Sequence, residues 1–313
     1  MWEQDTSRGI SPEPLGNIRR FPGSDFPGIA IAASTASKAS QRSFKWLARV
    51  ELGLLILISA LLMLQSWSSV TSRVPLRSLQ FAVAVALAAA ILVKFAGWMM
   101  RSDLDWITNR AIAETAKSES WRYMMHVSPY DGDEAAAQAA FQNELRSLIT
   151  QNQGFSREMH RLSADQRQIT GLMRTIRELD FAERRDIYET ARVLHQLDWY
   201  SANSRKNHSR ARTWLILSFA ILFLALVLAM LPMIKDDLPI IKFVVTLAIA
   251  ATALNHWSQY QEMEARYGDA AGQASLLRES LALVEDQHAL AGVVREIEAV
   301  FGAEHAAWQS RQR

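Results

Sequence analysis

Asp131, Asp133 and Glu134 bring three carboxylates within four residues of one another. Such a cluster could hold a divalent cation. These acids follow Pro129-Tyr130, however, a turn signal, and acids are favoured at a helix start with no metal at all. The seven histidines are scattered. None follows another at the three- or four-residue spacing that puts two ligands on one helix face. There is no cysteine, which removes disulfides, thiolate metal sites and cysteine nucleophiles. No phosphate-cradling Gly-Lys-Ser/Thr loop and no Gly-x-Ser-x-Gly elbow occurs. The expectation is a protein that is not an enzyme, with no catalytic residue, bound metal or cofactor. Arg184-Arg185 and Arg205-Lys206 are local basic pairs. With a net charge of only +2, they read as solvated or membrane-facing, so no nucleic-acid partner is expected.

What does recur is tryptophan, arginine and tyrosine at helical spacing. Trp106, Arg110, Glu114, Lys117 and Trp121 step by three and four. Arg110 and Glu114 form a candidate i,i+4 ion pair, a modest support for a helix. Tyr188, Arg192, Gln196, Trp199 and Tyr200 repeat the spacing, and Trp257, Tyr260, Glu264 and Tyr267 do so again. These stripes read either as docking faces or as the packed sides of helices, with packing the favoured reading.

The elements that carry them are set by hydropathy. Residues 52–72 and 213–234 hold no charge, and each is followed by a second apolar run, 79–100 and 238–260, in which Lys94 and Lys242 are the charges. A helix needs about 20 mainly apolar residues to cross a hydrocarbon core roughly 30 Å thick. The expectation is therefore an all-α membrane protein, with four transmembrane helices arranged as two hairpins and with helical cytoplasmic extensions. Spans two and four are rich in small residues: Ala82, Ala86 and Ala90, then Thr246 and Ala250. Small side chains let helices approach closely in lipid, which places these spans toward the centre and the Leu/Ile-rich spans one and three toward lipid. Ser59, Gln65 and Ser66 in span one, and Thr246 and Thr252 in span four, are polar enough to bond between helices, with dry packing favoured over a water path. Lys94 reads as snorkelling to the interface.

Orientation follows from basic residues near the span ends. Lys38, Arg42, Lys45 and Arg49 precede span one, and Arg205, Lys206, Arg210 and Arg212 precede span three. The hairpin loops carry only Arg73 with Arg77 and the short Lys235-Asp236-Asp237. Both termini and the middle segment are expected in the cytoplasm. Residues 1–40, with Pro12, Pro14, Pro22 and Pro27, read as a disordered tail and not as a cleavable signal. Residues 41–150 then form a first unit, 151–300 a second, and 301–313 a tail. Capping patterns at Ser163–Gln166 and Asp180–Glu183 open helices, and Gly268, Gly272 and Gly292 are expected to weaken or break the last ones.

The string Trp106-Ile-Thr-Asn-Arg110-Ala-Ile-Ala-Glu114-Thr-Ala-Lys117-Ser-Glu-Ser-Trp121-Arg122-Tyr123, directly after a hairpin, resembles one type of SLATT domain. These are the SMODS- and SLOG-associating two-transmembrane effectors of bacteria. Ile169-Thr170, Met173-Arg174, Arg177, Arg185, Tyr188, Arg192, Gln196 and Trp199-Tyr200, followed by a hairpin and then Trp257 and Tyr267, resemble another type. The likeness covers about 45–290. It implies a membrane effector of a bacterial conflict or anti-phage system, in the inner membrane, whose spans oligomerise to permeabilise it. The trigger would be nucleotide-linked or borne by a partner, such as a separate second-messenger synthase or sensor. A non-permeating anchor or scaffold that recruits a cytoplasmic partner is the alternative, and a small-solute transporter a weaker one. The implied partners are membrane lipid and further copies of the chain.

Overall fold

The computed structural model describes residues 20–100, 102–152, 155, 166–230, 240–258 and 260–309, and every regular element among them is helical. Helix α1 (Gly28–Gln65) starts directly after Pro27, whose carbonyl accepts from Ile31 N–H at 3.1 Å. Proline is preorganised for a helix start. The expected disordered tail is thereby corrected from residue 20 onward. Phe21, Phe26, Ile29, Ala30 and Ala33 are buried, and Thr170 Oγ1 donates to the Asp25 carbonyl at 2.8 Å. The breakers Pro22 and Pro27 sit at a turn and a helix start, where they cost little, while two phenylalanines supply apolar area. Pro12 and Pro14 lie outside the described residues.

The apolar run of α1 stops at Gln65, short of the expected Ser72. Its last turn tightens through Ser66 N–H to the Met63 carbonyl at 3.0 Å. A single turn, α2 (Ser68–Thr71), follows. Thr71 and Ser72 spend their hydroxyls on the backbone carbonyls of Trp67 and Ser69, the competition that makes such residues poor helix formers. Helix α3 (Leu76–Met100) begins after Pro75, and α4 (Ser102–Met124) follows it. Helix α5 (Glu134–Gln151) is capped by Asp133, which accepts from Ala136 N–H at 2.8 Å. Helix α6 (Gly171–Glu178) is capped by Thr170; the expected cap at Ser163 lies outside the described residues. Asp180 caps α7 (Phe181–Ile187) by accepting from Glu183 N–H, as its spacing predicts. A π-helical stretch, Tyr188–Leu194, then leads without a break into α8 (His195–Met230). Helices α9 (Ile240–Ser258), α10 (Tyr260–Ala282) and α11 (Gln287–Gln309) complete the chain. None of the three glycines breaks its helix: α10 runs through Gly268 and Gly272, and α11 through Gly292. A glycine costs a helix about 1 kcal/mol, which burial of Ala270, Ala274, Leu290 and Val294 beside them offsets.

Among the described residues, three helical stretches are long and apolar enough to cross a membrane: Gly28–Gln65, Leu76–Met124 and Phe181–Leu228. The fourth expected span coincides with α9, which has 19 residues and is not one of the three. The expected loop at 235–237 lies outside the described residues.

The chain divides into two compact units, and the division is not the expected one near residue 150. One unit, here called the core unit, is drawn from the chain up to Thr35, from Thr108–Ser201 and from Gly268 on. The other, the span unit, is Ala36–Ile107 with Ala202–Tyr267.

In the span unit, α1 runs antiparallel to α3 and the start of α4. Ser37 Oγ donates to the Trp106 carbonyl at 3.2 Å, Phe44 stacks on Trp106 at 6.3 Å, and Glu51 pairs with Lys94 at 2.8 Å. Lys94 thus has an acid from the neighbouring helix, which the snorkelling reading did not foresee. Helices α8 and α10 are likewise antiparallel: His208 Nδ1 meets Glu264 at 2.7 Å, and the Arg210 guanidinium lies over the Tyr260 ring at 5.9 Å.

Candidate functional site

In the core unit Arg177, Arg184 and Arg192 are buried, and two of them gather carboxylates. The first is Arg177, on the face of α6 shared with Met173 and Ile176 and itself buried. Its guanidinium donates to the backbone carbonyls of Tyr123 (2.5 Å), Tyr130 (2.8 Å) and Gly132 (3.3 Å), and to the Glu134 carboxylate at 2.9 Å. Glu134 also accepts from Tyr123 Oη at 2.8 Å and from Gln138. Burial alone would raise its pKa; the bonds from Gln138, Tyr123 and Arg177 outweigh that and hold it below the ordinary value. The acid cluster read from sequence is therefore a cap and an arginine partner. Among the described residues no group of three or more His, Cys, Asp or Glu is placed to hold a metal.

The second is Arg192, on the π-helical stretch. Its Nε and Nη2 donate to the two oxygens of Glu298, at 2.9 and 2.6 Å, and Tyr188 Oη donates to Glu298 at 3.1 Å. Arg192 and Glu298 side chains are 6% and 2% exposed, so the fork is desolvated. Burial pulls the Arg192 pKa down, but the Glu298 charge more than reverses this. Burial, together with Glu298, pushes the Tyr188 hydroxyl up. Four of the stretch's seven residues are buried: Tyr188, Ala191, Arg192 and Val193. The wider turn of a π-helix brings them onto one side. Around them lie the aromatics, with Trp121 between Phe21 (5.3 Å) and Tyr188 (5.6 Å), and Tyr200 against Phe301 (5.8 Å).

A cleft of about 340 Å³ opens beside this fork. Glu114, Glu119 and Arg122 of α4 line one side, Arg192 and Gln196 another, and Arg295 and Phe301 of α11 a third. The structure thus unites Glu114, Arg192 and Gln196 from the two sequence stripes. Glu114 pairs with Lys117 at 2.8 Å, one turn further along the stripe that carries Arg110. Trp121 and Tyr200 are buried in the core unit, and Tyr267 is buried in the span unit, where Trp106 also packs; Trp199 is 37% exposed and lies against Tyr200. The Trp257 side chain lies outside the described residues. Glu298, central to the site, was not among the candidates. Its signal was present: it follows Val294 by four and precedes Phe301 by three, an acid on the apolar stripe of an amphipathic helix.

In the span unit, Ala86 and Leu79 are the buried residues of α3, while Ala82 and Ala90 are half-buried. On α9 the buried residues among those described are Val244, Ala248 and Ala251. Thr246 and Ala250 flank that face and are half-buried. Span two also exposes Phe81, Ile91, Leu92 and Trp98 at 67% or more, so it is not a wholly central helix as its alanines suggested. A cavity of about 460 Å³ lies where the end of α1, the start of α3 and α9 meet. Ser59, Gln65, Ser66, Gln80 and Thr246 give it a polar lining, uniting four of the five span polar residues named above with Gln80; the Thr252 side chain lies outside the described residues.

Long apolar helices joined to a helical, aromatic-filled unit define a helical membrane protein. Residues 27–185 match the model of SMODS and SLOG-associating 2TM effector domain 3, and residues 188–308 that of SMODS and SLOG-associating 2TM effector domain 1. The first match alone spans more than half of the chain, and the chain belongs to the SLATT family, as a membrane effector with two unlike domains in tandem. No curated protein and no solved structure matches it.

Proposed function

We propose that the chain is a four-span effector of the bacterial inner membrane that assembles with copies of itself and permeabilises that membrane. The fourth span is α9, and both termini face the cytoplasm, in line with the basic residues ahead of spans one and three. The trigger is a cytoplasmic signal, nucleotide-linked or carried by a separate synthase or sensor. The observation that supports permeation over anchoring is the polar-lined cavity among the spans. Polar side chains in a lipid-facing setting are costly unless they meet partners or water, and the amides of Gln65 and Gln80 make no hydrogen bond among the described residues. The test is dye and ion leakage from liposomes holding the purified protein. Gln80→Leu with Thr246→Val keeps the volume, removes the polarity, and should reduce leakage at least tenfold while leaving the protein folded. Liposomes that stay sealed with every candidate trigger would sink the reading.

The anchor reading has one observation in its favour: the core unit exposes Leu276 (68%) and Leu283 (81%), side chains that a recruited partner could cover. It predicts partner capture by sealed liposomes.

A further inference from the structure

The cleft in the core unit has a one-sided surplus of hydrogen-bond donors. Its carboxylates are engaged: Glu114 with Lys117 at 2.8 Å, Glu119 with Arg122 at 2.7 Å and Tyr130 Oη at 2.6 Å, and Glu298 with Arg192 and Tyr188. What is left over donates. Arg295 is exposed and makes no ion pair or hydrogen bond among the described residues. The Nε of Arg122 is buried with no acceptor. Guanidinium nitrogens can only donate, and a buried donor without an acceptor carries a desolvation cost that an incoming oxygen would relieve. Gln196, Thr115 and Ser118 line the same cleft.

We infer that this cleft binds a small organic anion through its phosphate or carboxylate oxygens, with Arg295 as the charge partner and Arg122 Nε–H as a buried donor. Among the lining residues Glu114, Glu119 and Glu298 balance Arg122, Arg192 and Arg295. Lys117, paired with Glu114 from outside the lining, brings the local sum to one positive charge and leaves Arg295 as the cation with no acid of its own among the described residues. The volume, about 340 Å³, is that of a small-molecule site. Ala111, Ala299 and Phe301 add an apolar wall, so the ligand is larger than a bare ion. The cleft joins helices of both family matches, α4 from the first and α11 from the second, so occupancy would bias how they close on each other. That this occupancy is the trigger rests on the effector reading; the binding does not.

The test uses the full chain in nanodiscs of neutral phosphatidylcholine, titrated calorimetrically with pyrophosphate, AMP and citrate, and with uncharged adenosine as control. At least one anion should bind at submillimolar concentration, and adenosine should not. Arg295→Gln should weaken binding about tenfold or more, as loss of a charge-assisted bond does, and Arg295→Lys should retain part of it. Arg295 is exposed, so these variants should fold. Arg174→Gln removes the same charge from an exposed position on α6 and should change nothing. If an anionic lipid headgroup is the natural source of the oxygens, adding phosphatidylglycerol to the disc will compete with the soluble probe. No binding of any of the three anions at millimolar concentration, or equal weakening by Arg174→Gln and Arg295→Gln, would overturn the inference. Leakage is not part of this readout, so sealed liposomes would count against the effector reading and leave this site standing.

Discussion

A buried ion pair is worth most when one partner is taken away. Arg192 and Glu298 lie 106 residues apart and meet in a two-point fork that solvent does not reach. Such a pair gains little over apolar residues of the same shape, because both charges were stripped of water to make it. Removing one side, however, strands the other. Glu298→Ala should therefore cost about 3–5 kcal/mol of stability, read as denaturant unfolding of the solubilised protein. Arg192→Met with Glu298→Leu should recover most of that loss. A Glu298→Ala variant within about 1 kcal/mol of the parent would mean that water or another acid had taken over the guanidinium. Arg192 was legible in the sequence, since it sits on a helical stripe with Tyr188 and Gln196. Its partner was not named, because periodicity places a side chain on a face and cannot say which distant helix that face meets. The same limit explains Lys94, which reads as a solitary charge until α1 brings Glu51 beside it.

Helices were legible as elements because apolar length and capping residues act locally. Asp133 and Asp180 cap the helices they precede, and the serine-rich stretch after Gln65 ends the first span. The π-helical stretch was not legible, since its extra width is imposed by what Tyr188, Arg192 and Val193 must reach. Nor was the end of α4. There Val127 N–H bonds back to the Arg122 carbonyl at 2.9 Å and His126 N–H to that of Tyr123 at 3.4 Å, the closing pattern that glycine usually completes. His126 takes the left-handed position, with φ 52°. Its ring compensates by meeting the Arg177 carbonyl at 2.9 Å, which requires a proton on Nε2. Burial, with the charges of Arg177 and Arg184 adding to it, lowers its pKa below the ordinary 6.5. Well above pH 6.5 the ring is neutral whether the chain is folded or not. As the pH falls below 6.5 the unfolded chain takes up the proton first, so stability is lost through the window between 6.5 and the lower folded value. His195 is shifted in the same direction, again chiefly by burial. The melting temperature should therefore drop between about pH 7 and about pH 5. His126→Asn, which tolerates the left-handed position and cannot titrate, should shallow that drop without abolishing it. An unchanged slope would assign the acid sensitivity elsewhere.

Two family domains in tandem would ordinarily fold as two bodies joined by a linker, and near residue 150 the sequence suggests such a joint. The molecule is built otherwise. The first match ends at residue 185 and the second begins at 188, inside a helical run that passes from α7 into the π-helical stretch without a loop. Both matches contribute to the core unit and both to the span unit. In the core unit, Trp121 of the first packs on Tyr188 of the second. Gln287 of the second donates to the Met125 carbonyl at 2.8 Å and accepts from Arg184 of the first at 2.7 Å. Neither half can bury its aromatic face alone, and most helical stability comes from such packing. The hairpins are different, since apolar length and internally satisfied backbone are enough to seat a span in a bilayer. Cutting the chain between residues 187 and 188 should therefore separate insertion from folding. Each piece expressed alone should enter the membrane fraction, yet show no cooperative unfolding and rapid proteolysis within 108–187 or 268–309. Co-expressed, the two pieces should copurify and regain protection there. A cooperative, protease-resistant core from residues 1–187 alone would show that the first domain is self-sufficient, and that the contacts across the two matches only decorate it.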